Sequence, residues 1–384
     1  MVLGINDMNY QQCTFTIMDN IADPDITFDE NGICNYVHEY KKAELDVLTG
    51  AVGEEKLKQL AGTIKAKGRN KKYDCLIGLS GGVDSTYVAY LVKKLGLRPL
   101  AVHLDNGWNS ELAVMNIENI IKKLDIDLYT LVVDWQEFKD IQVSYLKASV
   151  VDIEVVSDHA IFATMYQLAR QHGIEFMISG TNVVTEQIMP SSWLYRKMDF
   201  ANLKDIHRQF GKVKLKTYPT FDFKKHVYYS AILKLSPISI LNYVPYNKQE
   251  VKKFITSELA WRDYGGKHYE SLFTKFYQAY ILPEKFKIDK RKAHLSTLIC
   301  SGQITREEAL KEMEVPLYPL ADLEQDKAYV LKKLGLSKNE FEAIMQTPPR
   351  RHEEFKTDAN LKQSYMKLLQ KTQKFRQSIR SKTN

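Results

Sequence analysis

Short apolar runs alternate with amphipathic stretches through the first half of the chain. "YDCLIGLS" (73–80) reads as a strand. A helix begins at Asp84 and Ser85, where Val88, Leu91, Val92 and Leu95 recur at i, i+3, i+4 and i+7, and Gly96 stops it. "RPLAVHLD" (98–105) is a second strand. In 109–124, Ser110 stands as N-cap before Ala113, Ile117, Ile120, Ile121 and Leu124, which share one face. "DLYTLVVD" (127–134) predicts a third strand, 157–173 a third helix closed by Gly173, and "IEFMISGTN" (174–182) a fourth strand with its exit loop. Apolar strands alternating with helices predict an α/β fold, a parallel sheet with helices on both faces. Ligands of such sheets bind at the carboxyl ends of the strands. The 80–85 loop, Asp105-Asn106-Gly107 and Gly180-Thr181-Asn182 all fall there.

Outside this alternation the pattern changes. Residues 1–40 carry the turn signals "ADPD" and "DENG" without a long helical period, and a polar helical segment follows over about 41–72. Prolines break the pattern in 234–255, Asn247 is a candidate helix cap, and the rest to about Met345 reads as helix-rich and aromatic-rich. The expected division is a small loop-rich module at 1–45, an α/β domain at 46–245, and a helical substrate-binding region with a basic tail at 246–384.

Composition narrows the setting. Cys13, Cys34, Cys75 and Cys300 are widely spaced, which fits a reducing compartment better than a disulfide framework. No apolar run reaches the ~18–20 residues of a membrane helix. "MVLGINDMNYQQ" has neither the basic flank nor the apolar core of a signal peptide. A cytoplasmic protein without a membrane partner is expected. The net charge of +7 suits an anionic substrate, a nucleotide or RNA. Part of it lies in the tail after Pro349, expected as a solvated helix with a frayed end.

The chemistry starts at Ser80-Gly81-Gly82-Val83-Asp84-Ser85, between the first strand and its helix. A Walker A loop needs a lysine to reach the outer phosphates; this string has none and is shorter. Its glycines let backbone N–H groups approach oxygens, Ser80 and Ser85 can donate, and the helix adds its positive end. A carboxylate beside phosphates makes sense with a cation between them, so Asp84 is the candidate Mg²⁺ contact. The string resembles the PP-loop signature of the ATP pyrophosphatases. That resemblance implies cleavage of ATP between the α- and β-phosphates and transfer of AMP to a substrate oxygen. It implies ATP contacts from Ser80, Gly81, Gly82, Val83, Asp84 and Ser85, with Ser80, Asp84 and Ser85 in the catalytic role. Asp105, Gly180, Thr181 and Asn182 would line the rest of the nucleotide. Sulfur transfer is weakly supported, because the catalytic region has no Cys-x-x-Cys and Cys75 lies inside a strand.

The loop, "DPDITFDENGICNY", "HLDNGWNSELAVMNI", "ISGTN" and "WRDYGGKHYESLFTKFYQAYILPEKFKIDKRKAHLSTLICSGQITREEAL" together are similar to the N-acetyl sugar amidotransferase family, over about 13–319. The resemblance implies conversion of an acetamido group on a nucleotide-activated sugar to an acetamidino group, for surface-polysaccharide or flagellin-glycan synthesis. ATP and Mg²⁺ would be the cofactors. A separate glutaminase subunit and its cyclase-like partner would supply ammonia. Lys267, His268, Glu270, Lys290, Arg291 and His294 form a charged set amid aromatics that suits an anionic nucleotide-sugar, with Arg291 the candidate for a bidentate contact. His159, in the first turn of the third helix, either faces phosphate or packs. The family's N-terminal module commonly carries two Cys-x-x-Cys pairs, as a structural zinc site would. Here the pairs read Cys13-Thr14-Phe15-Thr16 and Cys34-Asn35-Tyr36-Val37, each without its second cysteine, so zinc is not expected. Nucleic acid is not the expected partner, although the basic pI and tail keep a tRNA-modifying PP-loop enzyme as the alternative.

Overall fold

The computed structural model describes residues 10–229, 233, 235–265, 269–367 and 370. In chain order its elements are α1 (Asn35–Glu44), α2 (Gly50–Gly68), β1 (Cys75–Gly78), α3 (Val83–Lys94), β2 (Pro99–Asp105), α4 (Glu111–Leu124), β3 (Asp127–Val132), α5 (Trp135–Ala148), α6 (Val155–His172) and β4 (Phe176–Ser179). There follow α7 (Val183–Glu186), α8 (Phe200–Phe210), α9 (Phe223–Tyr228), β5 (Ser236–Ser239), α10 (Lys248–Leu259), α11 (Leu272–Phe276), the π-helical Tyr277–Phe286, α12 (Lys290–Cys300), α13 (Arg306–Glu314), α14 (Leu320–Leu334) and α15 (Lys338–Gln346).

Among the described residues one sheet runs in the order β3-β2-β1-β4-β5, and every pairing is parallel. The chain leaves central β1 toward β2 and β3, then returns past it to β4 and β5. That reversal opens a crevice at the carboxyl ends, between β1 and β4. Alternate residues of β1 serve opposite faces. Cys75 and Ile77 pack with Val88, Val92, Ile117 and Ile120 on one side. Leu76 packs with Leu100, Val102, Met165 and Met177 on the other. Each such fully buried aliphatic side chain contributes about 1.5–3 kcal/mol, so β1 anchors the loop that follows it.

The architecture is the α/β sheet and helical C-terminal region that the pattern predicts, with local differences. The segment over 41–72 is not one helix; it splits into α1 and α2, and α1 begins inside the loop-rich module. Helix α5 fills a stretch to which the apolar pattern assigns no element. Asp134 caps it, accepting from the N–H groups of Gln136 and Glu137 at 2.9 and 3.0 Å. Strand β5 carries Pro237, tolerated because β5 is an edge strand on which a missing N–H need not break a ladder. Strand β3, at the other edge, is largely solvent-facing rather than covered on both faces.

The largest apolar cluster joins Cys13, Tyr145, Trp193, Phe276, Phe341 and Phe355, so N-terminal, central and C-terminal segments share one core. The N-terminal module docks through Trp193 Nε1–H to the Ala22 carbonyl (2.8 Å) and Arg306 Nε–H to the Thr16 carbonyl (3.1 Å). The first part of the tail is packed rather than solvated. His352 and Phe355 are buried, and Asn202 Nδ2 donates to the His352 carbonyl at 2.7 Å. Residues 371–384 of the tail lie outside the described residues.

Candidate active site

Leu79 ends the first strand with its N–H on the Val102 carbonyl at 2.9 Å. Its own carbonyl accepts from His103 Nδ1 at 3.0 Å, while His103 Nε2 accepts from Asn109 Nδ2 at 3.0 Å. Burial lowers the His103 pKa, which keeps the neutral ring this pair of bonds requires. Above this brace the loop turns at Gly81, where φ is +83°. A side chain there would be strained, and its Cβ would stand 2.9 Å from the Tyr264 hydroxyl. The Ser80 and Ser85 hydroxyls lie 3.2 Å apart, and the Gly82 N–H donates to Ser80 Oγ at 3.3 Å. The Gly82 carbonyl is turned inward, accepting from Ser85 Oγ (3.1 Å) and Thr86 Oγ1 (2.7 Å). The first N–H groups of α3 have no acceptor within the helix. With the Gly82 carbonyl occupied in this way, the loop presents the first N–H groups of α3, the arrangement an oxyanion requires.

Asp84 sits in the first turn of α3, and its carboxylate accepts from the Tyr246 hydroxyl. Burial raises the Tyr246 pKa, and Asp84 and then Glu186 raise it further. The phenol thus stays a donor to the Asp84 carboxylate. Oxygen donors of this kind fit Mg²⁺. Gly180 closes on the same turn: a Cβ there would lie 3.0 Å from Asp84 Cβ. Thr181 Oγ1 meets Ser179 Oγ at 2.6 Å and Ser239 Oγ at 2.9 Å, so the ends of β4 and β5 present a row of hydroxyls.

Asp105 lines a cleft of about 280 Å³ with Asn106, Gly107, Val132, Val133, Trp135 and Lys333. Its carboxylate accepts from the Gly107 N–H at 3.0 Å. Lys333, from α14, donates to the Gly107 carbonyl and lies over the Trp108 and Trp135 rings at 4.7 and 5.1 Å. Glu270 comes to the loop from the far side of the sequence. Its carbonyl accepts from the Ser110 N–H at 2.9 Å, and its Oε1 is 3.9 Å from where a Gly82 Cβ would be.

Several expected ligand contacts have other duties. The Asn182 side chain is buried and serves as the cap of α7, accepting from Thr185 N–H at 2.9 Å and Thr185 Oγ1 at 3.0 Å. Arg291 is not a free bidentate donor. Its guanidinium is bound to both Asp289 oxygens and to the carbonyls of Glu312 and Val315 at 3.1 and 2.6 Å, where it caps the end of α13. Lys290 pairs with Glu154 at 2.7 Å, and His294 Nδ1 lies 3.1 Å from the Thr185 carbonyl. His159 packs. It is fully buried, between the Lys197 carbonyl (2.9 Å) and the Phe221 N–H (3.0 Å). Lys267 and His268 lie outside the described residues.

In the N-terminal module Cys13 and Cys34 are both buried. Cys13 Sγ accepts from the N–H groups of Thr16 and Cys34, each at 3.3 Å. The neighbouring Cys34 thiol lowers the Cys13 pKa, and Cys13 in turn raises that of Cys34. His38 turns away to Asp29 at 3.0 Å. Among the described residues no group of three or more His, Cys, Asp or Glu is placed to hold a metal ion. Nor is any helix among them long and apolar enough to cross a membrane.

Sequence reasoning missed Tyr246, Trp261, Tyr264 and His103. Tyr246 lies in a segment with no motif of its own, and Trp261 and Tyr264 open the block "WRDYGGKHYESLF…", whose resemblance assigned them no role. His103 lies two residues before Asp105, where its alternation toward the loop was a usable signal.

A family model described as NAD synthase matches residues 54–201, and one described as LPS biosynthesis protein WbpG-like, C-terminal domain, matches residues 270–372. An uncharacterized protein of Methanocaldococcus jannaschii is 23% identical over 249 residues, 65% of this chain and 75% of that protein. A tRNA(Ile)-lysidine synthase of Chlamydia pneumoniae is 38% identical over 76 residues, which is 19% of this chain and 23% of the synthase. Among solved structures, an NH3-dependent NAD synthetase from Campylobacter jejuni is 13% identical with a TM-score of 0.33, covering 69% of this chain and 97% of that one. An NMN synthetase from Francisella tularensis is 18% identical with a TM-score of 0.29, covering 54% and 87%. In one chain, then, an ATP-utilising PP-loop domain of the NAD synthase type is joined to a C-terminal domain like that of the LPS biosynthesis protein WbpG.

Proposed function

We propose that the protein is an AMP-forming amidotransferase that converts the acetamido group of a nucleotide-activated sugar to an acetamidino group, for a surface glycan. One observation carries the reading: an NAD synthase-type PP-loop and a WbpG-like domain occur in one chain, and Glu270, the first residue of the WbpG-like match, lies against Gly82. The acetamido oxygen attacks the α-phosphorus of ATP and pyrophosphate leaves. The resulting O-adenylyl imidate has a good leaving group where the amide had a poor one. Ammonia adds to the imidate carbon, AMP departs, and a cationic amidine remains.

Ser80, Ser85 and the outward N–H groups of the loop hold the pyrophosphate end of ATP. Asp105 and Thr181 flank the nucleoside side. Asp84 would hold Mg²⁺, which supplies charge neutralisation at the phosphates when bound. The chain's remaining contribution is to orient the two substrates and keep water from the adenylate. No protein nucleophile is required. Ammonia would come from a separate glutaminase subunit with a cyclase-like partner.

Incubation with ATP, Mg²⁺, ammonium and a panel of acetamido nucleotide-sugars tests this. AMP and pyrophosphate should form only when a sugar is present, and mass spectrometry should find one oxygen replaced by NH. The local likeness to tRNA(Ile)-lysidine synthases and the basic charge favour a second reading, adenylylation of a tRNA base. AMP release that depends on tRNA and not on sugar would establish that reading and sink the first.

A further inference from the structure

Residues 202–269 fall between the regions matched by the two family models, yet part of this stretch lies directly on the PP-loop. Helix α10 packs on α3, with Phe254 edge-on to Tyr90 at 4.7 Å. Helix α4 holds the turn that follows. Asn116 donates to the Arg262 carbonyl and accepts from the Arg262 N–H, both at 2.9 Å, and Asn119 Nδ2 donates to the Ala260 carbonyl at 3.2 Å. The turn so held delivers two donors to one acceptor. The Trp261 indole N–H at 2.7 Å and the Tyr264 hydroxyl at 2.6 Å both donate to the Gly81 carbonyl.

That carbonyl belongs to the Gly81–Gly82 peptide. No peptide bond among the described residues is cis, and in a trans peptide the C=O and N–H point in opposite directions. Holding the oxygen inward therefore fixes the Gly82 N–H on the opposite side, where it donates to Ser80 Oγ at 3.3 Å. Two consecutive glycines present little steric resistance to a flip of the peptide between them. A flipped peptide would aim its carbonyl oxygen at the place where the loop receives an anion, replacing attraction by repulsion. Sterics leave the orientation open, and the two donors decide it.

We propose that Trp261 and Tyr264 are positioning residues for pyrophosphate, fixing the Gly81–Gly82 peptide with its N–H toward the anion. The inference rests on the loop's role as a pyrophosphate cradle and not on the identity of the acceptor. On this reading the segment between the two family-matched regions sets the geometry of the loop from behind.

The test uses full-length Tyr264→Phe, Trp261→Phe and the double variant. Pyrophosphate with Mg²⁺, and adenosine separately, are titrated into each by calorimetry, with thermal melts to confirm folding. Pyrophosphate affinity should fall about tenfold for Tyr264→Phe and further for the pair, as expected when a hydrogen bond to a charged group is lost. Adenosine affinity should stay at the wild-type value. Unchanged pyrophosphate binding in folded variants overturns the proposal, and so does an equal loss for both ligands, which marks a general loss of structure. Trp261 is fully buried, so Trp261→Phe has the greater risk of misfolding. Tyr264→Phe removes one oxygen from a half-buried ring and decides the matter alone if needed. Wild-type protein that fails to bind pyrophosphate would remove the cradle itself, whereas wild-type binding with unaffected variants removes only the positioning role.

Discussion

Replacing Gly180 by alanine asks whether the exit of β4 and the PP-loop act as one packed unit. The new Cβ would lie 3.0 Å from Asp84 Cβ, 3.2 Å from the Asp84 carbonyl carbon and 3.4 Å from its oxygen. Non-bonded carbons settle at about 3.5–4.0 Å, so the methyl arrives at least about 0.5 Å too close to Asp84 Cβ. The atoms it meets belong to the first turn of α3 and cannot swing aside as the tip of a long side chain can. Overpacking of this kind costs about 1–3 kcal/mol. The functional effect should be larger, because a displacement of the order of 1 Å in a reacting constellation costs about 10²-fold. Gly180→Ala should retain a cooperative urea melt, lose about 1–3 kcal/mol, and bind a non-hydrolysable ATP analogue with Mg²⁺ at least about tenfold more weakly. Gly62→Ala is the control. Gly62 lies exposed on α2 with nothing within 4 Å of a Cβ, and alanine there should stabilise the chain by about 0.5–1 kcal/mol. Wild-type affinity for the analogue in Gly180→Ala would refute the reasoning.

Other parts of the fold are open to equally direct tests. Glu137 is buried and accepts from the backbone N–H groups of Lys216 (2.8 Å), Thr217 (3.0 Å) and Tyr218 (2.8 Å). Glu137→Ala leaves three donors stranded and should cost about 3 kcal/mol or more in urea denaturation; a loss below about 1 kcal/mol would contradict this. Burial holds the His159 pKa at about 4, below the ordinary 6.5. The unfolded chain then takes the proton first, so this contribution is complete above about pH 6.5 and is lost as pH falls toward 4, by on the order of 3 kcal/mol. His159→Gln should flatten that part of the stability–pH curve, and an unchanged slope would count against the assignment. Arg291→Met should lower the melting temperature while leaving the KM for the proposed nucleotide-sugar unchanged, because the guanidinium holds Asp289 and the end of α13; a large rise in KM would return Arg291 to the substrate site.

What was legible in the sequence was whatever depends on neighbours along the chain. Apolar periodicity gave β1 to β4 with α3, α4 and α6, because a strand or helix shows its buried face in its own spacing. Ser110 and Asn247 were readable as caps because a cap bonds two or three residues ahead, at 3.2 Å to Ala113 N–H and 3.0 Å to Gln249 N–H. The six-residue loop was readable as a PP-loop because its glycines and hydroxyls act through local backbone. Helix α5 was within reach, since Asp134 precedes Phe138, Ile141 and Tyr145 at helical spacing. Strand β5 was not, because Pro237 is acceptable only on an edge, and an edge exists only once the sheet is assembled.

The orientation of the loop was decided by the tertiary structure alone. The donors that act on Gly81 and Asp84 stand more than 160 residues away in sequence, where no spacing along the chain connects them to the loop. Long-range contacts also settled which charged residues were free. Arg291 and Lys290 look alike in a string of letters, and both lost their candidacy to partners that folding brought to them. Local spacing determined that this chain would have a PP-loop at the end of a central strand; distant side chains, meeting through a shared core, determined which way that loop faces.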